Sequence, residues 1–184
     1  MSKIMIASDI HGSAVWCRKL VEAYEKEAPE KLLLLGDLLY HGPRNPLPDG
    51  YAPKEVISLL DPLKENILCV RGNCDSEVDQ MVLSFPITAD YAALFVDGKT
   101  LYATHGHLFN AENPLPVNRG EALLNGHFHV PCHRVLDNGA VYLNCGSVSL
   151  PKDGTAHSFL LFENGVFTWK DLGKDCGIFD TFAL

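Results

Sequence analysis

Five short stretches of this chain end an apolar run on side chains that bind metals or move protons. SDIHG carries Asp9 and His11, GDLLYHG carries Asp37, GNCD carries Asn73, THGH carries His105, and GHFH carries His127 and His129. Those seven donors are carboxylate, amide and imidazole, enough for two metal ions sharing one bridging carboxylate, and no thiolate is required. Such a set suits borderline metals such as manganese, iron, zinc, cobalt or nickel, whereas an all-oxygen shell points to magnesium or calcium. Taken singly, D-x-H reads as a turn, Gly-Asp as a loop with a helix cap, Gly-Asn as a turn and His105 as an ordinary hydrogen-bonded ring. Their joint occurrence, in order and each at the end of a run, is what points to a metal centre.

The runs that must deliver these residues are KIMIAS, KLLLLG, NILCVRG, KTLYAT, ALLNG and AVYLN. Runs of four to eight apolar residues suit buried strands. Ser13 can cap a helix over 14–28, and Pro53 suits the first turn of another that carries Val56, Leu59, Leu60 and Leu63 at helical spacing. Strand and helix alternating three times predicts parallel pairing through crossovers in the N-terminal half. Asp97-Gly98 and Asn164-Gly165 each sit between two strand-like runs and predict hairpins in the C-terminal half. The expected fold class is therefore α/β, with two packed mixed β-sheets flanked by helices. In open α/β sheets ligands bind beyond the carboxyl ends of the strands, where all seven donors fall. HGPRNPLPDGY, residues 41–51, reads as a rigid loop near one strand end.

A length of 184 residues predicts a single domain, 1–184, with a substantial core. At 47% hydrophobic and 21% charged, the chain is too apolar for disorder. The formal charge of -8 repels polyanions and excludes a generic nucleic-acid binder, leaving small anionic substrates if a local cation offsets the field. The six cysteines, at 17, 69, 74, 132, 145 and 176, contain no C-x-x-C pair, which suits a reducing interior. The first apolar run is broken by Asp9 before it could serve as a signal or a membrane span, so the expected location is cytoplasmic. Nothing in the sequence sets the oligomeric state, and a homo-oligomer is allowed.

The order D-x-H, GD, GN-x-D, H-G-H, G-H-x-H resembles the calcineurin-like metallophosphoesterase superfamily. GPRNPLPDGYAP and RGNCDSEVDQM look like its small bacterial YfcE-like phosphodiesterases. The resemblance runs from residue 3 to about residue 152. It implies the α/β sandwich of that superfamily, with Asp9, His11 and His129 on one metal, Asn73, His105 and His127 on the other, and Asp37 between them. Manganese is the metal that it implies. The expected function is a dinuclear-metal phosphodiesterase cleaving small phosphodiesters by attack of a metal-bridging hydroxide, with Asp37 and Asn73 holding the centre that makes it. A carboxylate bridge also offsets repulsion between two nearby dications.

Two positions depart from the superfamily pattern. Most of its members carry a histidine in the block GNH, facing the leaving group, where this chain has Cys74. A thiol is a poorer donor than imidazolium, so esters with good leaving groups should react faster than alkyl esters. Cys74 also reads simply as a small buried filler. His41 stands where many relatives have arginine; it is a candidate to bind phosphate or supply the missing proton, with Arg44 or Arg71 as alternatives. In the family block the position of Asp75 orients the histidine, a role without an object beside Cys74, and Asp75 reads equally as the cap of the short helix suggested by SEVDQMV; His107 is expected to support a ligand, and Asn144, Gly146 and Ser147 to shape the rim. Two alternatives share the scaffold: a phosphomonoesterase or protein phosphatase, and a catalytically impaired metal-binding scaffold for protein assembly.

Overall fold

The computed structural model describes residues 3–184; Met1 and Ser2 lie outside it. Strands β1 (Lys3–Ala7), β2 (Lys31–Leu34) and β3 (Ile67–Cys69) pair in parallel, and helices α1 (Ala14–Glu27) and α2 (Pro53–Leu60) lie in the connections. Both faces of β1 and β2 are buried, which is why their sequences read as continuous apolar runs rather than alternating ones. Met5, Ala7, Leu32 and Leu34 pack against Cys17, Leu20, Val56 and Leu60 of the helices. Ile4, Ile6, Leu33 and Leu35 face the other way, into the core between the sheets.

Strand β9 (Ser158–Glu163) pairs antiparallel with β1, and β10 (Val166–Asp171) and β11 (Gly177–Ala183) follow outward. The resulting six-stranded sheet has the order β11-β10-β9-β1-β2-β3. A helix α3 (Glu77–Val82) follows the loop after β3. The second sheet comprises β4 (Tyr91–Val96), β5 (Lys99–Thr104), β6 (Ala122–Asn125), β7 (Cys132–Val135) and β8 (Val141–Asn144), in the order β4-β5-β6-β8-β7. Both sheets are mixed, as expected: β5, β6 and β8 run parallel, while β4 and β7 are antiparallel edges. Leu101, Ala103, Leu124, Leu143, Phe162 and Trp169 fill the space between the sheets. Fully burying a side chain such as Leu contributes about 1.5–3 kcal/mol, so this layer is a major source of stability. The Trp169 indole N–H donates to the Asn144 carbonyl at 2.8 Å, joining the sheets with a satisfied polar contact.

Local sequence signals explain the element ends that matter for the site. The Ser13 hydroxyl accepts from the Trp16 N–H and donates to the Asp49 carbonyl, capping α1 and fastening the 41–51 loop. That loop is held further by Ala14 N–H to Gly50 O at 2.9 Å and Ala52 N–H to Gly12 O at 2.8 Å. Helix α2 ends earlier than the spacing predicts: Leu63 lies in a 3-10 turn, Asp61–Asn66. Pro62 has no N–H to donate to Ser58, so the α-helical ladder cannot continue through it. Strands β7 and β11 were not expected. Each is a largely exposed edge strand and lacks a buried alternating face for the sequence to display.

Candidate metal centre

Every candidate ligand leaves the carboxyl end of a strand. Asp9 and His11 follow β1, Asp37 follows β2, Asn73 follows β3, His105 follows β5, and His127 and His129 follow β6. Backbone hydrogen bonds continue past the strands and lock these loops together: Asp9 N–H to Gly36 O at 3.1 Å, His11 N–H to Asp37 O at 2.8 Å and Gly126 N–H to His105 O at 2.9 Å. Asp9, His11, Asp37, His127 and His129 all have left-handed backbone, with φ of 60°, 48°, 56°, 64° and 63°. Each such residue costs on the order of 1 kcal/mol or more, and strain of this kind concentrates at functional sites. The glycines of Gly-Asn and Gly-His have a steric cause. A Cβ on Gly72 would strike the Asp37 carboxylate and backbone N, and one on Gly126 would strike Ser8 and the Asp9 carboxylate.

The imidazoles are aimed by their second nitrogen. His11 Nδ1 lies 2.8 Å from Tyr40 O, His105 Nδ1 2.7 Å from Leu35 O, and His129 Nδ1 2.6 Å from Leu150 O. A carbonyl only accepts, so each Nδ1 carries a proton and each ring turns its Nε2 inward. The inward atoms meet one another. His11 Nε2 and His129 Nε2 are 3.4 Å apart, and Asp9 Oδ1 lies 3.5 Å from the first and 3.2 Å from the second. Asp37 Oδ2 lies 3.7 Å from His11 Nε2 and 3.5 Å from His105 Nε2, midway between two groups of donors. His105 Nε2 also lies 3.0 Å from Asn73 Oδ1 and 3.2 Å from His127 Nδ1.

Lone pairs crowded face to face repel unless something positive sits among them. Asp9 Oδ1 is buried and has no hydrogen-bond partner. The donor atoms of Asp9, His11 and His129 lie within 4.8 Å of one another, as do those of Asp9, Asp37 and His105. An all oxygen-and-nitrogen set of this kind fits divalent cations. Without a cation, protons take that place. Against burial, which favours neutral rings, Asp37 and Asp9 hold His105 charged up to about 9. Burial and the charge on His105 push His127 down to about 4. Burial opposes ionisation of Asp9 as well, yet His11 and His129 hold its carboxyl well below the usual range.

A cavity of about 370 Å³ lies over the cluster, lined by Asp37, Asn73, His127 and His129 together with Arg44, Asn45, Phe128 and Lys152. Arg18, Arg71 and Arg134 pair with Glu55, Asp90 and Glu112, whereas Arg44 and Lys152 have no ion-pair partner among the described residues. These two cations can offset the negative net charge for an anionic ligand. His41 is not brought into the cavity; its ring sits edge-on between Tyr40 and Tyr51, with centroids 4.8 Å and 5.2 Å away. Arg71 is likewise committed elsewhere, to Asp90. His107 lies 5.4 Å from His105, ring to ring, with a buried Nδ1 that has no partner.

Asp75 does not cap the following helix. Ser76 caps α3 in a reciprocal pair with Asp79, while the Asp75 carboxylate accepts from the backbone N–H groups of Asp37, Leu38 and Gly72 at 2.8, 2.9 and 2.7 Å. It therefore ties the Asp37 loop to the Asn73 loop. Sequence reasoning also missed Lys152 and Ser149. The Ser147 and Ser149 hydroxyls both donate to the Asp9 carbonyl at 3.0 Å, and the closely spaced Ser147-Val148-Ser149 was the signal available.

Comparison with known proteins supplies the family. Residues 2–165 match the calcineurin-like phosphoesterase superfamily domain. The chain belongs to the calcineurin-like phosphoesterase superfamily. It is 44% identical over 169 residues to phosphodiesterase YfcE of Escherichia coli K12, covering 91% of each chain. The solved structure of YfcE, described as a phosphoesterase from E. coli, superposes with a TM-score of 0.94 at 42% identity over 98% of each chain. An archaeal phosphodiesterase matches with a TM-score of 0.61 at 19% identity, covering 99% of each chain, a likeness of fold alone.

Cys74 lies against the cluster as well. The Cys74 backbone N–H donates to Asp37 Oδ1 at 2.8 Å, and the thiol sulfur lies within 4.8 Å of donor atoms of His11 and Asp37. Burial and the Asp37 charge push that thiol up to about 12, so it is protonated at neutral pH.

Proposed function

We propose that residues 1–184 form one dinuclear-metal phosphodiesterase domain that hydrolyses small phosphodiesters. Asp9, His11 and His129 would hold one ion, Asn73, His105 and His127 the other, and Asp37 would bridge them. The observation that carries this reading is the convergence of the His11 and His129 Nε2 atoms on the partnerless Asp9 Oδ1, with Asp37 Oδ2 reaching toward both His11 and His105. Bound divalent ions supply Lewis acidity and lower the pKa of water from 15.7 toward about 7, making hydroxide available at neutral pH.

The chain's own residues do the rest. Arg44 and Lys152 attract and orient the phosphate, Asn45 adds a neutral hydrogen-bonding group, and left-handed backbone at Asp9, His11, Asp37, His127 and His129 helps to aim these five ligands before substrate arrives. Cys74, a protonated thiol, gives the leaving oxygen little help, which assigns the enzyme to esters with good leaving groups.

Manganese is the metal proposed, on the family resemblance, with iron, zinc, cobalt and nickel compatible with the same donors. Among the described residues no helix is long and apolar enough to cross a membrane, and all six cysteines are free thiols, which supports a cytoplasmic enzyme. A phosphomonoesterase on the same site is favoured by one observation, the two unpaired cations lining the cavity.

A panel of mono- and diesters, run with each metal on the wild type, tests the reading. Diesters are expected to exceed the matching monoesters in kcat/KM, with no turnover in chelator. Monoester preference would move the assignment to a phosphatase, and no metal-dependent turnover with any ester would refute the enzyme reading.

A further inference from the structure

A second cavity, of about 480 Å³, shares a wall with the candidate metal centre. Leu39, Tyr40, Tyr51, Ile57, Cys74 and Val82 form most of it, with Lys54, Ser76 and Asp79 supplying its polar part. Cys74 is the shared wall: its sulfur lies within 4.8 Å of donor atoms of His11 and Asp37 and also lines this groove. Around the groove, apolar side chains are left in water. Tyr40 is 41% exposed, Val78 68% and Val82 49%, so the rim of the groove presents apolar surface to solvent.

We infer that this groove receives an apolar ester group of the substrate, so that the enzyme selects phosphodiesters carrying an aromatic or aliphatic alcohol. The inference rests on the phosphodiesterase reading above. A diester bound over the metal centre has two substituents to place. The cavity lined by Arg44 and Lys152 is cationic and suits the phosphate and polar groups, whereas the groove past Cys74 offers Tyr40 and Tyr51 together with Leu39, Ile57, Val78 and Val82.

Two ester series test this. One holds 4-nitrophenolate as the leaving group and changes the second ester from methyl to 4-phenylphenyl. The other holds methyl and changes the leaving group between phenol and 4-phenylphenol, whose acidities are close. Burying on the order of 60 Å² of added apolar surface predicts a rise of about tenfold in kcat/KM for the larger ester in one series, which also says which substituent the groove takes. The ratio should fall toward one in Val82→Glu and in Tyr40→Ala, and persist in Phe95→Glu, a position 85% exposed on β4. Binding of 4-phenylphenol to the metal-free protein, read by saturation-transfer NMR, should weaken in the same two groove variants and gives a measure independent of turnover.

If the wild type turns over diesters with no size dependence in either series, the groove inference fails while the phosphodiesterase reading stands. If no diester is turned over, the reading itself fails. Self-association through this face, abolished by Val82→Glu and unaccompanied by any ester dependence, would overturn the inference in favour of a protein interface.

Discussion

Replacing Asp75 with alanine removes the acceptor for three backbone N–H groups at once, those of Asp37, Leu38 and Gly72. A buried donor left unsatisfied costs about 1–3 kcal/mol, so three could cost up to about 9 kcal/mol. Two effects hold the figure near the low end. Burial pushes the Asp75 carboxyl up from its usual range while the N–H groups of Leu38, Gly72 and Asp37 pull it back, so burying the charge is itself costly in the wild type. Water can also enter the space left by the side chain. The expected loss is about 3–5 kcal/mol, or a fall in Tm of roughly 6–20 °C for a chain of this size.

Because the same carboxylate ties the Asp37 loop to the Asn73 loop, metal affinity should fall by about 10–100-fold as well. Asp75→Asn keeps one acceptor oxygen but sets an amide N–H against a backbone N–H, and should fall between alanine and wild type. Urea denaturation with and without metal, and calorimetric titration with manganese, measure both effects. Stability within about 1 kcal/mol of wild type together with unchanged metal affinity would refute the bracing role.

Aryl diesters should turn over faster than alkyl diesters because Cys74 cannot supply an acidic proton; equal rates with chemistry rate-limiting would rule this out. Arg44→Ala and Lys152→Ala should each raise KM for a diester about fivefold with a smaller change in kcat, as expected for an exposed charge worth about 1 kcal/mol; unchanged KM in both would remove the phosphate-orienting role. Against burial, Lys170 and Lys3 hold Glu27 below the ordinary glutamate range, so its contribution to stability is present above about pH 4.3 and lost as pH falls through its depressed folded value. Wild type should therefore be more stable than Glu27→Gln at pH 7, with the difference shrinking in acid; a difference that grows in acid would contradict the sign.

The cluster of candidate ligands was legible in the sequence because each sits where an apolar run stops, and a buried parallel strand has a sharp end. KIMIA and KLLL, buried on both faces, could hardly be anything else, and Asp97-Gly98 and Asn164-Gly165 marked their hairpins through the left-handed backbone such turns need. What escaped was whatever depends on three-dimensional neighbours. Asp75 precedes a helix and looks like its cap, yet its carboxylate turns back to a loop 38 residues earlier. Lys152 follows the last recognisable block and reaches the cavity only through the fold, while His41, adjacent to a recognised motif, is diverted between two tyrosines. Strand β11 pairs at the edge of the first sheet with residues too exposed to leave an alternating pattern.

If two ions share the Asp37 carboxylate, that one side chain governs both metal content and turnover. Elemental analysis of manganese-loaded protein, with turnover of an aryl diester measured on the same samples, tests it most directly. Two ions per chain are expected in the wild type, and at most one, with turnover abolished, in Asp37→Ala. Two tightly held ions and near-normal turnover in that variant would contradict it.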